Sequence, residues 1–145
     1  MAPQLSFEIV ASDVLLEKVR SLKALGYRLV QIGATRLPGE FELTYSFDRE
    51  AALVNLRLVL PGHETKVPSI TSVFWSAFLY ENELHDLFGL EPQGLAVDFH
   101  GNLYRTSVKF PFGSTKPPSV KPAAPGVARA DKTDAGRSVA SNSHP

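Results

Sequence analysis

The spacing of apolar residues at the start of the chain predicts one amphipathic helix. Residues Leu5–Val10 either form a short first strand or lead directly into this helix. Ser12 is placed to cap the first turn, because a serine hydroxyl can accept hydrogen bonds from the unpaired amides there. Gly26 is expected to end the helix. The apolar stripe consists of Leu15, Val19 and Leu22.

Three segments with a two-residue alternation follow, and they predict strands. Tyr27–Ile32 alternates loosely, Phe41–Asp48 alternates cleanly, and Leu53–Leu60 places its apolar residues on one face. The connections between them are short and carry turn-forming residues. Consecutive strands of this kind predict an antiparallel meander with one face available for helices, and therefore an α+β fold.

The stretch Val67–Leu90 contains the longest apolar run of the chain and predicts a long, buried central helix. Ser69, which follows Pro68, is placed as its N-cap. Gly89 can take the positive φ of the residue that ends a helix. The apolar stripe consists of Ile70, Val73, Ala77, Tyr80, Leu84 and Leu87.

The first half of this predicted helix is apolar well beyond its stripe, at Phe74, Trp75, Phe78 and Leu79. A helix that is apolar nearly all round is usually buried on more than one side. Because the domain is small, we expect one side to contact another protein. The run is too short and too interrupted by serine to span a bilayer, which needs about 20 apolar residues.

The second half of the same stretch is acidic. Between Glu81 and Asp98 there are five acids and no Lys or Arg. Glu81 and His85 are four residues apart and share a helix face, which is one pattern for a metal site. Di-iron bundles, however, need Glu-x-x-His on two helices with further glutamates. Here the residue three positions before His85 is Asn82, and no second copy exists. Helix capping and interface hydrogen bonds are therefore favoured over metal binding.

The composition excludes several functional classes. The chain has 145 residues, of which 43% are hydrophobic, and its net charge is zero, so no general attraction to nucleic acid is expected. It has no cysteine, which excludes Cys-ligated iron–sulfur clusters, Cys zinc sites and disulfides. The first residues do not predict a secretory signal. We find no nucleotide-binding loop, no nucleophile elbow and no zinc-protease motif, and therefore predict no catalytic site.

The composition changes at Pro111. Residues 111–145 are rich in Pro, Ser and Ala and hold five basic and two acidic residues. Such a segment cannot bury enough apolar surface to offset its chain entropy. We therefore predict a folded domain at residues 1–110 and an extended or disordered basic tail at residues 111–145.

Asp98 and His100, which precede this tail, could form a hydrogen-bonded pair, since they would share a face in an extended segment.

The central stretch resembles the 30-kilodalton subunit family of respiratory complex I. This family includes the corresponding subunit of bacterial NADH–quinone oxidoreductase and the homologous small subunits of energy-converting, membrane-bound (group 4) nickel–iron (NiFe) hydrogenases. Its pattern is Pro-Ser before a helix, then Tyr-Glu-Arg-Glu-x-x-Asp-x-Phe-Gly-Ile. Here the pattern reads Pro68-Ser69 and then Tyr80–Leu90. The family's Arg is Asn82 in this chain, which removes a positive charge that an Arg of a neighbouring subunit could replace.

The resemblance implies a non-catalytic assembly subunit. The short chain and altered ending after Gly94 are most similar to the Ech-type and CO-induced hydrogenase subunits, and the longer complex I subunit is the alternative. It further implies packing against a large catalytic subunit beside iron–sulfur subunits, with NiFe and iron–sulfur clusters in those partners and no cofactor here. The location would be peripheral, at the cytoplasmic face of the membrane, with indirect membrane contact. The expected subunit-interface residues are Phe74, Trp75, Phe78, Glu81, Glu83, His85, Asp86, Phe88 and Gly89.

Two other functions stay open at this point. The first is a free-standing small enzyme that uses Glu81, His85 and Asp86 as acid–base or metal-binding residues. The second is a protein- or peptide-binding adaptor whose basic tail contacts its partner. Activity or bound metal in the isolated chain would favour the enzyme, and loss of binding on deletion of the tail would favour the adaptor.

Overall fold

The structure is a computed structural model that describes residues 4–114. The elements in chain order are β1 (Gln4–Val10), α1 (Ser12–Ala24), β2 (Arg28–Leu37), β3 (Glu40–Arg49), β4 (Ala52–Pro61), β5 (Lys66–Pro68), α2 (Ala77–Phe88) and β6 (Glu91–Gln93). The predicted α+β class is confirmed. The prediction of a disordered tail falls on residues 115–145 for most of its length, and these lie outside the described residues.

Four strands form one sheet in the order β1-β4-β3-β2. The predicted antiparallel meander is confirmed for β2, β3 and β4. The first strand also forms, but it pairs with β4 in the parallel direction, so the sheet is mixed rather than wholly antiparallel. The reason is the connection: α1 carries the chain from β1 at one edge to β2 at the other, and only such a crossover permits parallel strands.

The alternation in β3 and β4 decides which face of the sheet is buried. Side chains of a strand point to opposite faces in turn, so one set of alternate residues can form a core. Helix α1 contributes Leu15 and Val19 to this core, and α2 contributes Ala77 and Leu84. The buried apolar residues of the two strands are Phe41, Leu43, Tyr45, Phe47, Leu56, Leu58 and Leu60.

Helix α1 forms where the apolar stripe predicts it, but Ser12 does not cap it. The N-cap residue is Ala11, and no side chain among residues 4–114 makes a capping hydrogen bond there. Ser12 is already the first helical residue, so its hydroxyl is one position too late to act as the N-cap. Gly26 follows the helix with a φ of 84° and completes the predicted end.

The prediction that the central helix begins at Ser69 is wrong. Helix α2 begins at Ala77 and has 12 residues. Val67 and Pro68 are extended in β5, which pairs with β6, and residues 71–76 form turns. The physical reason is that hydrogen bonds to Glu81 of α2 hold the start of this segment. The end of α2 is as predicted, since Gly89 has a φ of 75°.

The segment after β6 returns along α2. Its last described part reaches the end of that helix, where the Phe112 N–H donates to the Leu87 carbonyl at 2.8 Å. The Phe112 ring also lies 5.8 Å from the ring of Phe88. The proposed domain boundary at residue 110 stays a prediction, and these contacts show that Phe112 still packs against the folded part.

Candidate functional site

Glu81 is buried on the inner side of α2, with 1% of its surface exposed. Its Oε1 accepts a hydrogen bond from the Ile70 N–H at 2.7 Å, and its Oε2 accepts one from the Ser69 hydroxyl at 2.6 Å. Burial raises the pKa of Glu81, and the hydrogen bonds from Ser69 and Ile70 oppose that rise. Glu81 therefore holds the turn before α2 in place from within the chain.

Tyr45 of β3 lies in the same buried region as Glu81. Its hydroxyl is buried and has no hydrogen-bond partner among residues 4–114. Burial raises the pKa of Tyr45, and the negative charge of Glu81 raises it further. Tyr45 thus stays protonated, and burial of its hydroxyl without a hydrogen-bond partner destabilises the folded state.

Asn82 is also buried, and its amide makes three hydrogen bonds within the chain. Its Nδ2 donates to the carbonyls of Phe78 and Val97, at 2.7 Å and 2.8 Å. Its Oδ1 accepts from the Phe99 N–H at 2.9 Å. In place of the family's Arg, the structure has a neutral amide that joins the segment around residue 98 to α2. No local sequence signal indicates this role, because its partners are backbone groups up to 17 residues away. The expectation that an Arg of a neighbouring subunit replaces the missing charge stays a prediction.

Asp86 and His85 lie one helical turn further on. The Asp86 Oδ2 accepts from the Tyr104 N–H at 2.8 Å, and His85 Nδ1 contacts the Leu90 carbonyl at 2.9 Å. The His85 ring also stands edge-on to Phe110. Glu81 and His85 thus have separate partners and are not joined by a hydrogen bond. In the described range 4–114, no three His, Asp or Glu residues are arranged to hold a metal ion.

Glu83 lies on the outer side of α2, near Tyr104. The negative charge of Glu83 raises the pKa of Tyr104, with smaller contributions from desolvation, from a hydrogen bond to Glu83 and from the charge of Asp86. Asp98 and His100 do come together, but in a surface turn rather than a strand. The His100 N–H donates to Asp98 Oδ1 at 2.7 Å, and both side chains are exposed.

The aromatic residues near the start of α2 range from buried to exposed, with Phe78 half-buried. Phe74 is buried, and its ring lies 5.4 Å from Phe47 of β3. Trp75 is 60% exposed and Leu79 is 49% exposed. Ring contacts join Trp75 to Phe78 at 5.8 Å and Phe78 to Phe99 at 6.2 Å. We call the set Trp75, Phe78, Leu79 and Phe99 the apolar patch.

Phe88 is the last residue of α2, and Gly89 is its C-cap. Phe88 is partly buried against Phe112. Gly89 is in the left-handed region, and a Cβ at this position would lie 2.9 Å from the Phe110 ring. The conformation and the close ring both require glycine here.

Of the nine expected interface residues, Phe74, Glu81 and Asp86 are buried within this chain, while Trp75 is the most exposed apolar member.

A second exposed apolar surface lies on β1, and the sequence reasoning missed it. Leu5, Phe7 and Ile9 are exposed by 58%, 58% and 76%, on one face of an edge strand. The Arg57 guanidinium, on the neighbouring strand, lies 5.3 Å from the Phe7 ring. The signal that could have revealed it is the alternation of these three residues with Ser6 and Glu8.

Comparisons with known proteins connect this arrangement to a family. The family model described as "Respiratory-chain NADH dehydrogenase, 30 Kd subunit" matches residues 9–113. No curated protein sequence matches the chain. None of the helices between residues 4 and 114 has the length and apolar character needed to cross a membrane.

Two solved structures share the fold. The first is a chain from an archaeal respiratory membrane complex, the membrane-bound sulfane sulfur reductase, with a TM-score of 0.61 and 22% identity. That match covers 67% of the present chain and 61% of the other, so this chain spans under two thirds of that relative's length. The second is a trypsin-resistant fragment of Nqo5, with a TM-score of 0.57 and 21% identity, covering 64% of this chain and 82% of that one.

Proposed function

Since this chain belongs to the family of the respiratory-chain NADH dehydrogenase 30 kDa subunit, we propose that it is a non-catalytic assembly subunit of a membrane-bound respiratory complex related to complex I. In this proposal it packs against a large catalytic subunit of the peripheral arm, at the cytoplasmic face of the membrane. Its own contact with the membrane is indirect, through the rest of the complex.

The apolar patch is the observation that carries this proposal. Two large apolar side chains, Trp75 and Leu79, are about half exposed or more, directly beside the family motif. The buried motif residues Glu81, Asn82 and Asp86 bond to this chain's own backbone. Hydrogen bonds within the chain thus hold α2 and the segments around it in place, and this part of the structure exposes aromatic surface. Interface cores are enriched in aromatic residues in this way.

We further propose that the complex is of the energy-converting NiFe hydrogenase type. The support is the segment after Phe88-Gly89, where Gly94–Asn102 stands in place of the complex I family pattern. In this version the partner subunits hold the NiFe centre and the iron–sulfur clusters, and this chain holds no cofactor. The chemistry of electron transfer and ion pumping belongs to those partners, and this chain positions them.

A subunit of an NADH–quinone oxidoreductase is the second candidate. The description of the matching family model favours it. Both candidates assign the same non-catalytic role to this chain. They differ in the partner that feeds or receives the electrons.

Purification of the tagged protein from its source membranes in mild detergent tests the proposal. Mass spectrometry and metal analysis would identify what accompanies it. A large subunit with nickel and no flavin-bearing NADH subunit supports the hydrogenase type. An NADH-oxidising flavin subunit without nickel supports complex I. A chain recovered alone would overturn both candidates and reopen the enzyme and adaptor hypotheses.

A matched pair of variants tests the apolar patch. Leu79→Ala removes half-exposed surface from the patch, and Leu25→Ala removes a leucine of similar exposure at the end of α1. Both changes should leave the fold intact, because exposed leucines contribute little to the core. We expect Leu79→Ala, and not Leu25→Ala, to lower the amount of large subunit that is retained. Equal retention in both variants would exclude the patch as the interface.

A further inference from the structure

The two carboxylate oxygens of Asp86 have different surroundings. Oδ2 accepts the Tyr104 N–H, whereas Oδ1 is buried and has no hydrogen-bond partner in the described part of the chain. The residue as a whole is only 5% exposed. A buried carboxylate oxygen without a donor is unfavourable, because it has lost water and gained nothing in return. A hydrogen-bond donor from outside the described residues would therefore stabilise this oxygen.

A pocket of about 400 Å³ opens beside this oxygen, between α2 and the segment around residues 100–110. Its walls include His85, Asp86, Glu91 and Tyr104. Gly101 forms part of the rim, and a Cβ on it would lie 3.7 Å from His85 Nε2 and 4.0 Å from Asp86 Oδ1. Because glycine has no side chain, residue 101 leaves the space next to these two polar atoms unfilled.

We propose that this pocket receives an arginine side chain from the neighbouring subunit, with its guanidinium donating to Asp86 Oδ1. The proposal rests on the proposed function, since the arginine belongs to a partner of the complex. The pocket offers the carboxylates of Asp86 and Glu91, and the charge of Glu83 acts on Tyr104 of its wall. It also offers the rings of His85, Tyr104 and Phe110.

These features select a guanidinium over other cations. A guanidinium carries five donors in one plane, can bridge several acceptors and stacks on aromatic rings. A metal ion would need three or more ligands that converge, and no three His, Asp or Glu residues between positions 4 and 114 do so. An ammonium group would satisfy the charge but gain less from the rings.

Among the described residues, Lys109 is the lysine that lines this pocket. Its Nζ lies over the Phe110 ring, 5.2 Å from the ring centre. The side chain is exposed, so holding its ammonium group against Asp86 would cost side-chain entropy. Lys109 is therefore the competing occupant that an experiment must separate from an arginine of the partner.

The experiment uses the complex purified from its membranes. A photo-crosslinking p-benzoylphenylalanine in place of Tyr104, at the rim of the pocket, would be irradiated in the assembled complex. The attached peptide would then be sequenced by mass spectrometry. We expect a peptide of another subunit that contains an arginine. A peptide without arginine, or no attached peptide although the complex has assembled, would overturn the proposal and leave the proposed function standing.

Variants of Asp86 then measure the contact. Asp86→Asn keeps an oxygen for the Tyr104 N–H but loses the negative charge. The control, Asp98→Asn, removes the same charge from an exposed side chain on the neighbouring surface. We expect Asp86→Asn to weaken retention of the partner about tenfold or more, and Asp98→Asn to have little effect. Changing the crosslinked arginine to glutamine should add no further loss to Asp86→Asn.

Two results would contradict this assignment. Equal effects of Asp86→Asn and Asp98→Asn would show that only the general negative charge matters. If Lys109→Met weakened the complex as much as Asp86→Asn, the occupant would be Lys109 and not the partner's arginine. If the unaltered protein were purified alone, without partners, the proposed function itself would fail, which is a different outcome from either of these.

Discussion

The carboxylate of Glu81 accepts a hydrogen bond from the backbone N–H of Ile70, at 2.7 Å and across eleven positions of the chain. The same carboxylate accepts the Ser69 hydroxyl. This pair of bonds joins α2 to the turn that precedes it. It explains why the segment from Ser69 to Ser76 is not helical although its apolar residues have helical spacing.

Removal of the Glu81 carboxylate should destabilise the fold. Glu81→Ala leaves the Ile70 N–H and the Ser69 hydroxyl buried without their acceptor, which costs about 1–3 kcal/mol for each unsatisfied group. Glu81→Gln keeps one carbonyl oxygen for the Ile70 N–H and should lose clearly less. The free energy of unfolding from denaturant titration measures both. Equal losses in the two variants would contradict the role assigned to these hydrogen bonds.

Glu81 should also make stability depend on pH. Burial raises its pKa above the ordinary value of 4.5, so the folded chain binds this proton more tightly than the unfolded chain does. The stabilisation from protonation is complete below the unfolded pKa and is lost as pH rises through the raised folded pKa. The contribution of Glu81 to the free energy of unfolding should therefore increase as pH falls from neutral towards 4.5.

Glu81→Gln supplies the control for this pH dependence, because it cannot titrate at that position. Other acids contribute in the opposite direction. The hydrogen bond and charge of Arg28 lower the pKa of Asp48, so its contribution is lost as pH falls. The difference between the unaltered chain and Glu81→Gln removes such contributions. A difference that does not change between neutral pH and pH 4.5 would contradict the raised pKa.

Gly89 and Gly94 form a matched pair for the end of α2. Both have positive φ, at 75° and 82°, so alanine is strained at either position by about 1–2 kcal/mol. Only at Gly89 would the new Cβ also lie 2.9 Å from a ring, that of Phe110. At Gly94, no described atom beyond the adjacent residues would lie within 4 Å of it. We expect Gly89→Ala to lower the melting temperature more than Gly94→Ala. Equal shifts would show that Phe110 moves aside freely.

Replacing the Asn82 amide, whose Nδ2 donates two hydrogen bonds, should destabilise the fold. Asn82→Asp keeps the size of the side chain but places a carboxylate against the carbonyls of Phe78 and Val97, which are then without this donor. We expect a loss of about 1–3 kcal/mol in the free energy of unfolding. Asn102→Asp, at an exposed asparagine, is the control and should change this free energy only slightly.

Part of this fold follows from local pattern. The period of two in Phe41–Asp48 and Leu53–Leu60 places every second residue on one face, and those residues form the core. The stripe of α1 and the glycine at the end of α2 are predictable for the same reason, because they depend on residues within one turn. The motif at Tyr80–Leu90 is likewise readable in the chain, and it indicates the family that the match to residues 9–113 confirms.

The remaining features depend on contacts between distant parts of the chain. The start of α2 is decided by Glu81 reaching back to Ser69 and Ile70, and the role of Asn82 is decided by the backbone at Val97 and Phe99. The different surroundings of the two Asp86 oxygens arise only because the segment near Tyr104 packs back against α2 and bonds one of them. A sequence pattern reports the period of burial, which is a local property. Which buried polar group meets which backbone group is a property of the folded chain, and only the tertiary structure decides it.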